Sequence, residues 1–290
     1  MVELKKVTID DFEMVYPLLL DFGKPDTSEN RDIWKQLFIN QWETDEDYTG
    51  YMLVDDNKAV GYMGYIFSRR KINSKTEKFC NMSGWIVKKD YRKEYKMLLY
   101  EPAMELKDYT LTALFSTKAA HVLERRLGFK ELDDCYYYIP ANINPLLLLF
   151  KRKIRIINDL NYIIKYVDDI SSKIIEDHLK FKNLNHLLVE TNEGNIYLTI
   201  KQLVRKRYLS FAEIYYISDK KLFKKYFDQI RYHLLTDLKY VGIVIDSRFI
   251  KGMNISLKYK VNYFVSNQYM SDHLEPEDVD YLYTERVIFY

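Results

Sequence analysis

Several things are scarce in this chain. It has two cysteines in 290 residues, Cys80 and Cys135, far apart and with no CxxC or Cys/His spacing around them. That excludes the usual structural zinc patterns and fits a reducing compartment. Six prolines and nine glycines accompany 48% hydrophobic residues, a balance that belongs to folded globular proteins and not to disordered ones. The longest apolar run, "PLLLLF" at 145–150, is far short of the roughly 20 residues that span a bilayer. The start, "MVELKKVTIDDF", carries no apolar leader segment, so the expectation is a cytoplasmic protein without a membrane partner. A formal net charge of +2 removes any global field that would call for nucleic acid. Any electrostatic function must therefore be local.

What is present supports two compact units of about 140 residues each, with boundaries expected at 1–140 and 141–290. Residues 10–22 place Phe12, Val15, Leu19 and Phe22 at helical spacing, and "SENRDIWKQLFINQW" predicts a second helix with Ser28 or Asn30 as its cap. The period then changes. Two β-rich runs meet at Asp55-Asp56-Asn57-Lys58, which reads as a hairpin. "FCNMSGWIV" is a further strand, followed by a basic turn and a helix from about Glu94 to Leu106. "YTLTALFST" predicts a strand, and "KAAHVLERRLGF" a helix with Ala119, Val122, Leu123 and Arg126 on one face and Gly128 at its end. "KELDDCYYYIP" closes the first unit.

The second half repeats this order loosely. Residues 141–175 read as a hinge. Beyond it come a helix near "IIEDHLKFKN", a hairpin turning at Glu193-Gly194-Asn195, and the strand "YLSFAEIYYIS". A helix with Phe223, Phe227, Ile230 and Leu234 on one stripe follows, capped by Ser218. The strand "YVGIVIDSR" is next, and the tail predicts a short helix leading into a final strand.

The stretch "SGWIVKKDYRKEYKMLLYEPAMEL" concentrates charge between a strand end and a helix start. Such a turn aims backbone N–H groups and the positive helix end at one point, which favours a phosphate. Arg92, Lys93 and Lys96 add side-chain charge, although a solvated helix start would use the same residues.

"GWIVKKDYRKEYKMLL" resembles the strand, R-x-x-G-x-G/A turn and helix of the GNAT (Gcn5-related N-acetyltransferase) superfamily, and "LERRLGF" resembles the end of that family's last helix. The resemblance implies an α/β (α+β) fold of two GNAT-like lobes, each a mixed, largely antiparallel sheet flanked by helices, the second lobe degenerate. It implies acetyl-CoA or another acyl-CoA as donor, a small-molecule or sugar amine as acceptor, and neither metal nor nucleic acid. Val87, Arg92, Lys93, Tyr95, Lys96 and Met97 would then hold the donor. Tyr95 and Met97 stand where the family has glycines, and Glu124 stands where it often has a tyrosine that protonates the leaving thiolate.

Asn81, Ser83, Trp85 and Val87 alternate along one strand and so share a face, either lining the acceptor side of a cleft or packing in the interior. Glu77 has the same parity and joins Asn81 and Ser83 as catalytic candidates, since an amine must lose a proton to attack. Trp85, Tyr62 and Tyr65 are candidates for the acceptor pocket walls. Two other readings remain open: a catalytically silent GNAT-like binding protein, and an aminoacyl transferase of the FemABX type.

Overall fold

The computed structural model describes residues 1–72, 75–141 and 154–289; the "PLLLLF" run at 145–150 lies outside them. The chain divides into two compact units. The first comprises Met1–Leu132, Asn267–Val279 and Tyr283–Tyr290, the second Asp133–Ser266 and Asp280–Leu282. The architecture is the expected one of mixed, largely antiparallel sheets flanked by helices.

In the first unit β1 (Glu3–Lys6), β2 (Gly50–Asp55), β3 (Lys58–Ile72) and β4 (Lys75–Val87) form an antiparallel meander. Asp56 and Asn57 make the β2–β3 turn with φ of +48° and +59°, a left-handed pair that short polar side chains tolerate and that matches the twist of a hairpin. Two helices precede β2, namely α1 (Phe12–Leu19) and α2 (Ser28–Lys35). The cap of α2 is Thr27, not Ser28 or Asn30: its hydroxyl accepts from the Asn30 amide at 3.2 Å. After β4, a 3-10 turn over Lys89–Glu94 leads into α3 (Tyr95–Glu105), and the chain returns as β5 (Thr110–Ala113), parallel to β4. α4 (Lys118–Leu127) follows, ended by Gly128 at φ +112°, a conformation that costs a Cβ-bearing residue more than glycine.

The face of α4 differs from expectation. Val122 and Arg126 are exposed, and the buried residue is Glu124. Its carboxyl can turn inward because Ser116 donates to it at 2.8 Å; a buried polar group is tolerated where it is hydrogen-bonded.

The core of this unit gathers Tyr51, Leu53, Met63, Tyr65 and Phe67 from the sheet against Leu98, Leu99 and Ala103 of α3. Burial of that helix face sets where its N-terminus lies.

In the second unit the sheet order is β6 (Lys130–Pro140), β11 (Gly242–Asp246), β10 (Leu209–Ile217), β9 (Gly194–Arg205), β8 (Leu184–Thr191) and β7 (Arg155–Ile157). Helices α5 (Leu160–Tyr166) and α6 (Asp169–His178) occupy much of the stretch read as hinge and the start of the helix expected after it. α7 (Lys220–Thr236) buries Phe223, Phe227, Ile230 and Leu234, the stripe expected from the sequence. Its cap is Asp219, which accepts from the Leu222 amide at 2.8 Å. Ser218 instead accepts from the Tyr197 amide at 2.8 Å.

The tail also differs from its reading. The strand there is β12 (Tyr259–Met270), whose last residues pair antiparallel with β5, and the chain ends in helix α8 (Glu285–Ile288). Thr284 caps α8 by accepting from the Arg286 amide at 3.3 Å, which commits "ERVI" to a helix despite its β-prone composition. Among the described residues no helix is long and apolar enough to cross a membrane.

Leu98 is fully buried beneath the α3 N-terminal turn. Leu98→Ala is expected to lower unfolding stability by about 3 kcal/mol through lost burial and a residual cavity, whereas Lys96→Ala, at an exposed neighbouring position, should stay within about 0.5 kcal/mol. Urea titration of both variants measures the contrast.

Candidate active site

β4 and β5 run parallel from the Phe79–Thr110 pair to the Met82–Ala113 pair and then part. The cause lies in β4. Between Ser83, opposite Gly64, and Ile86, opposite Tyr62, β4 carries one more residue than β3. That is a β-bulge, which bends a strand and re-aims its side chains. Gly84 sits in it at φ +65°, where a side chain would be strained. On the other side β5 gives way to the loop Leu114–Thr117, in which Phe115 holds φ +55°, an uncommon conformation for a bulky residue. The Phe115 amide donates to Asn267 Oδ1 at 3.1 Å, which helps to hold it there.

The space opened by this parting is a cavity of about 520 Å³. Its walls are largely apolar and include Met82, Trp85, Ile86, Val87, Leu114 and Leu123, with Ala119 and Ala120 of α4 keeping one side low. Two of its described lining residues carry carboxyls. Glu124 reaches it from α4 and Glu285 from α8.

Both carboxyls are out of water, at 2% and 8% exposure. Burial pushes Glu124 up from the ordinary 4.5 to about 7, against the opposing effect of the Ser116 hydrogen bond. One oxygen, Oε1, accepts from Ser116, and Oε2 has no hydrogen-bond partner among the described residues. Burial likewise raises Glu285 to about 7; its own backbone N–H and the Asn81 amide act in the other direction. Asn81 Nδ2 donates to Glu285 Oε2, and Thr112 Oγ1 donates to Asn81 Oδ1 at 2.9 Å. This chain of hydrogen bonds fixes which end of the Asn81 amide faces the carboxyl.

The basic turn lies at the same cavity. Arg92 and Tyr95 line it. The 3-10 turn Lys89–Glu94 runs directly into α3, and among the described residues no side-chain hydrogen bond caps either segment, so the positive end of this helical stretch carries no side-chain cap. Tyr91 holds the turn to the end of β2 by donating to Asp55 Oδ2 at 2.9 Å.

Of the residues singled out from the sequence, the structure brings Ser83, Trp85, Val87, Arg92 and Tyr95 to the cavity. Lys93 and Lys96 are exposed on the turn and outside its lining, and Met97 packs against the core. Tyr62 is fully buried and stacked on Phe38 at 5.4 Å, while Tyr65 packs edge-on to Tyr51 and Phe67, so neither forms a cavity wall. Glu77 is not part of the lining and pairs with His273 at 2.9 Å. Asn81 is interior, and acts on the cavity only through Glu285. Strict alternation along β4 fails because the bulge brings Gly84, Trp85, Ile86 and Val87 all to the lining. Sequence reasoning missed Glu285, whose partner Asn81 is 204 residues away. No local pattern announces such a pair.

No family model matches the chain, and no curated protein matches it in sequence. Solved structures do share its fold. A GCN5-related N-acetyltransferase from Anabaena variabilis ATCC 29413 covers 93% of this chain and 72% of its own at 11% identity and a TM-score of 0.58. One from Kribbella flavida covers 93% and 70% at 10% identity, with the same TM-score. A conserved protein from Enterococcus faecalis V583, described as a probable N-acyltransferase, covers 93% and 72% at 12% identity, again at 0.58. The chain has the GNAT fold.

In this GNAT-fold chain the two cavity carboxyls carry a stability consequence. A carboxyl raised in the folded state favours folding while protonated, and that contribution is lost as pH rises from the unfolded value of about 4.5 through the folded value of about 7. Each group then destabilises the protein above pH 7 by at most about 3 kcal/mol. Glu124→Gln and Glu285→Gln should each raise the unfolding midpoint relative to the natural protein more at pH 8 than at pH 5, as read by thermal denaturation across that range. A gain independent of pH would show that the carboxyls ionise freely in the folded state.

Proposed function

We propose that the chain is an acyl-CoA-dependent N-acyltransferase, with acetyl-CoA as the first donor to test and a small-molecule amine as acceptor. The observation that carries this reading is the cavity at the parting of β4 and β5. It combines an uncapped helix N-terminus beside Arg92 with a buried, partly unsatisfied carboxyl, Glu124. Arg92 and the positive end of the helical stretch that runs from the Lys89–Glu94 turn into α3, with Lys93 and Lys96 nearby, would take the donor's phosphates. The bulged main chain from Gly84 to Val87 would meet the thioester, where N–H groups aimed at the carbonyl oxygen stabilise the charge that develops during attack.

Glu124 supplies what the family's missing tyrosine would. Near neutral pH a substantial fraction of it is protonated, and its proton can pass to the departing thiolate, whose conjugate acid has an ordinary pKa near 8.5. Among the described lining residues Arg92 is the sole cation, which favours a small acceptor over a polyanion such as RNA. A silent binding protein draws support from one feature, Tyr95 at the lining where the family pattern has glycine.

Calorimetry with acetyl-CoA tests the donor site, and thiol release with an amine present separates transfer from silent binding. The natural protein should bind at micromolar affinity, and Arg92→Ala combined with Lys96→Ala should weaken binding about tenfold or more, a change of roughly 1.4 kcal/mol. Absence of binding at millimolar donor would remove the acyltransferase reading.

A further inference from the structure

The reading of this cavity as an acyl-transfer site leaves the acceptor undefined, and its polar lining narrows the choice. We infer, resting on that reading, that the acceptor is a primary ammonium on an apolar or aromatic body with no carboxylate beside the amine, and that Glu285 receives it.

Glu285 is a buried side chain presented to the cavity by α8, with its carboxyl set by Asn81 and Asn81 set in turn by Thr112. A carboxyl fixed in this way in an apolar wall is a site for a cation, because pairing relieves the cost of holding the charge away from water. The walls available to the rest of the acceptor are mostly hydrocarbon and aromatic rings, Phe22, Met82, Trp85, Leu114 and Phe115, and the hydroxyls among the described lining residues, those of Ser83, Ser116 and Thr117, are neutral. Phe22 and Phe115 are partly exposed, at 46% and 55%, so they present ring surface to an incoming molecule. Flat apolar walls around one charge suit an arylalkyl or alkyl amine.

The same lining disfavours an α-amino acid. Its carboxylate would lie within a few ångströms of the ammonium and would need a cation to offset its charge, which the neutral hydroxyls of the lining do not supply. Arg92 belongs to the turn proposed to hold the donor's phosphates, and Arg286, which lies over the Phe115 ring at 5.4 Å, is not part of the lining. An unpaired carboxylate placed there beside Glu285 would meet both desolvation and like-charge repulsion.

The reaction balances with the groups present. The ammonium gives one proton to the Glu285 carboxylate, and the freed amine attacks the thioester carbonyl carbon to form the C–N bond. As the tetrahedral adduct collapses, the C–S bond breaks, the nitrogen loses a second proton to water and the thiolate takes the proton of Glu124. Exchange with water restores both carboxyls, and one proton is released per turnover.

The test uses the full chain with acetyl-CoA, following thiol release with three acceptors of one body: 2-phenylethylamine, phenylalanine methyl ester and phenylalanine. Donor affinity is measured in parallel by calorimetry. The amine and the ester should be acylated with kcat/KM at least about 100-fold above the free amino acid. Glu285→Gln should lower kcat/KM for the amine by about 100-fold or more while donor affinity stays unchanged, which also shows that the variant is folded. Equal or better use of phenylalanine, an unaffected Glu285→Gln variant, or bound donor with none of the three acylated would each overturn the inference while leaving the donor site standing. Failure of the natural protein to bind the donor would instead overturn the acyltransferase reading, and this inference with it.

Discussion

Everything at the candidate site depends on β4 and β5 ceasing to pair after Met82 and Ala113. Two parallel strands in register have no room between them, since neighbouring strands lie about 4.8 Å apart. The extra residue around Gly84 turns β4 aside while leaving it paired with β3 through Val87, so the backbone stays satisfied on one edge and opens on the other. The strained loop at Phe115 completes the gap. α3 and α4 then start on its two sides, and their N-terminal turns and inner faces become its walls.

Into this apolar gap the fold places two carboxyls with different supports. Glu124 rests on a single hydroxyl and keeps one oxygen unsatisfied. Glu285 sits at the end of an ordered chain through Asn81 to Thr112. In water both would be ionised at neutral pH. Here burial brings each near the point where either protonation state is accessible, which is the condition for moving protons at pH 7. A well-packed hydrophobic replacement would be more stable, so retaining the pair costs the fold some stability above neutral pH.

The second unit makes a useful contrast. It runs through a similar order, β8, β9, β10, a helix and then a parallel β11. Its helix α7, however, has the Asp219 carboxylate accepting from the Leu222 amide. That satisfies one of the N-terminal donors and puts negative charge where a phosphate would have to go. α3 has no such cap. The two strand-to-helix turns thus differ in local chemistry on similar topology, one closed by a carboxylate and the other without a side-chain cap, so fold alone does not say what such a turn can bind.

Much of the fold was legible in local pattern. The Asp56–Asn57 hairpin, the α7 stripe, the Gly128 helix end and the basic turn before α3 all rest on contacts within a few residues, and periodicity and turn chemistry report these. What misled were signals that tertiary partners override. Alternation along β4 is broken by a bulge defined against β3, the face of α4 is turned by Ser116 and the cavity, Tyr65 is claimed by a core built from strands β2 to β5 and α3, and Tyr62 by its stacking on Phe38. The sequence by itself determined most elements of the first unit up to β6 and the position of the positive turn, because those follow from side-chain spacing and charge along the chain. Only the tertiary structure decided the site's acid–base character, because it joined α8 to the first unit and set Glu285 against Asn81. A carboxyl's proton affinity is fixed by what surrounds it in space and not by its neighbours in sequence.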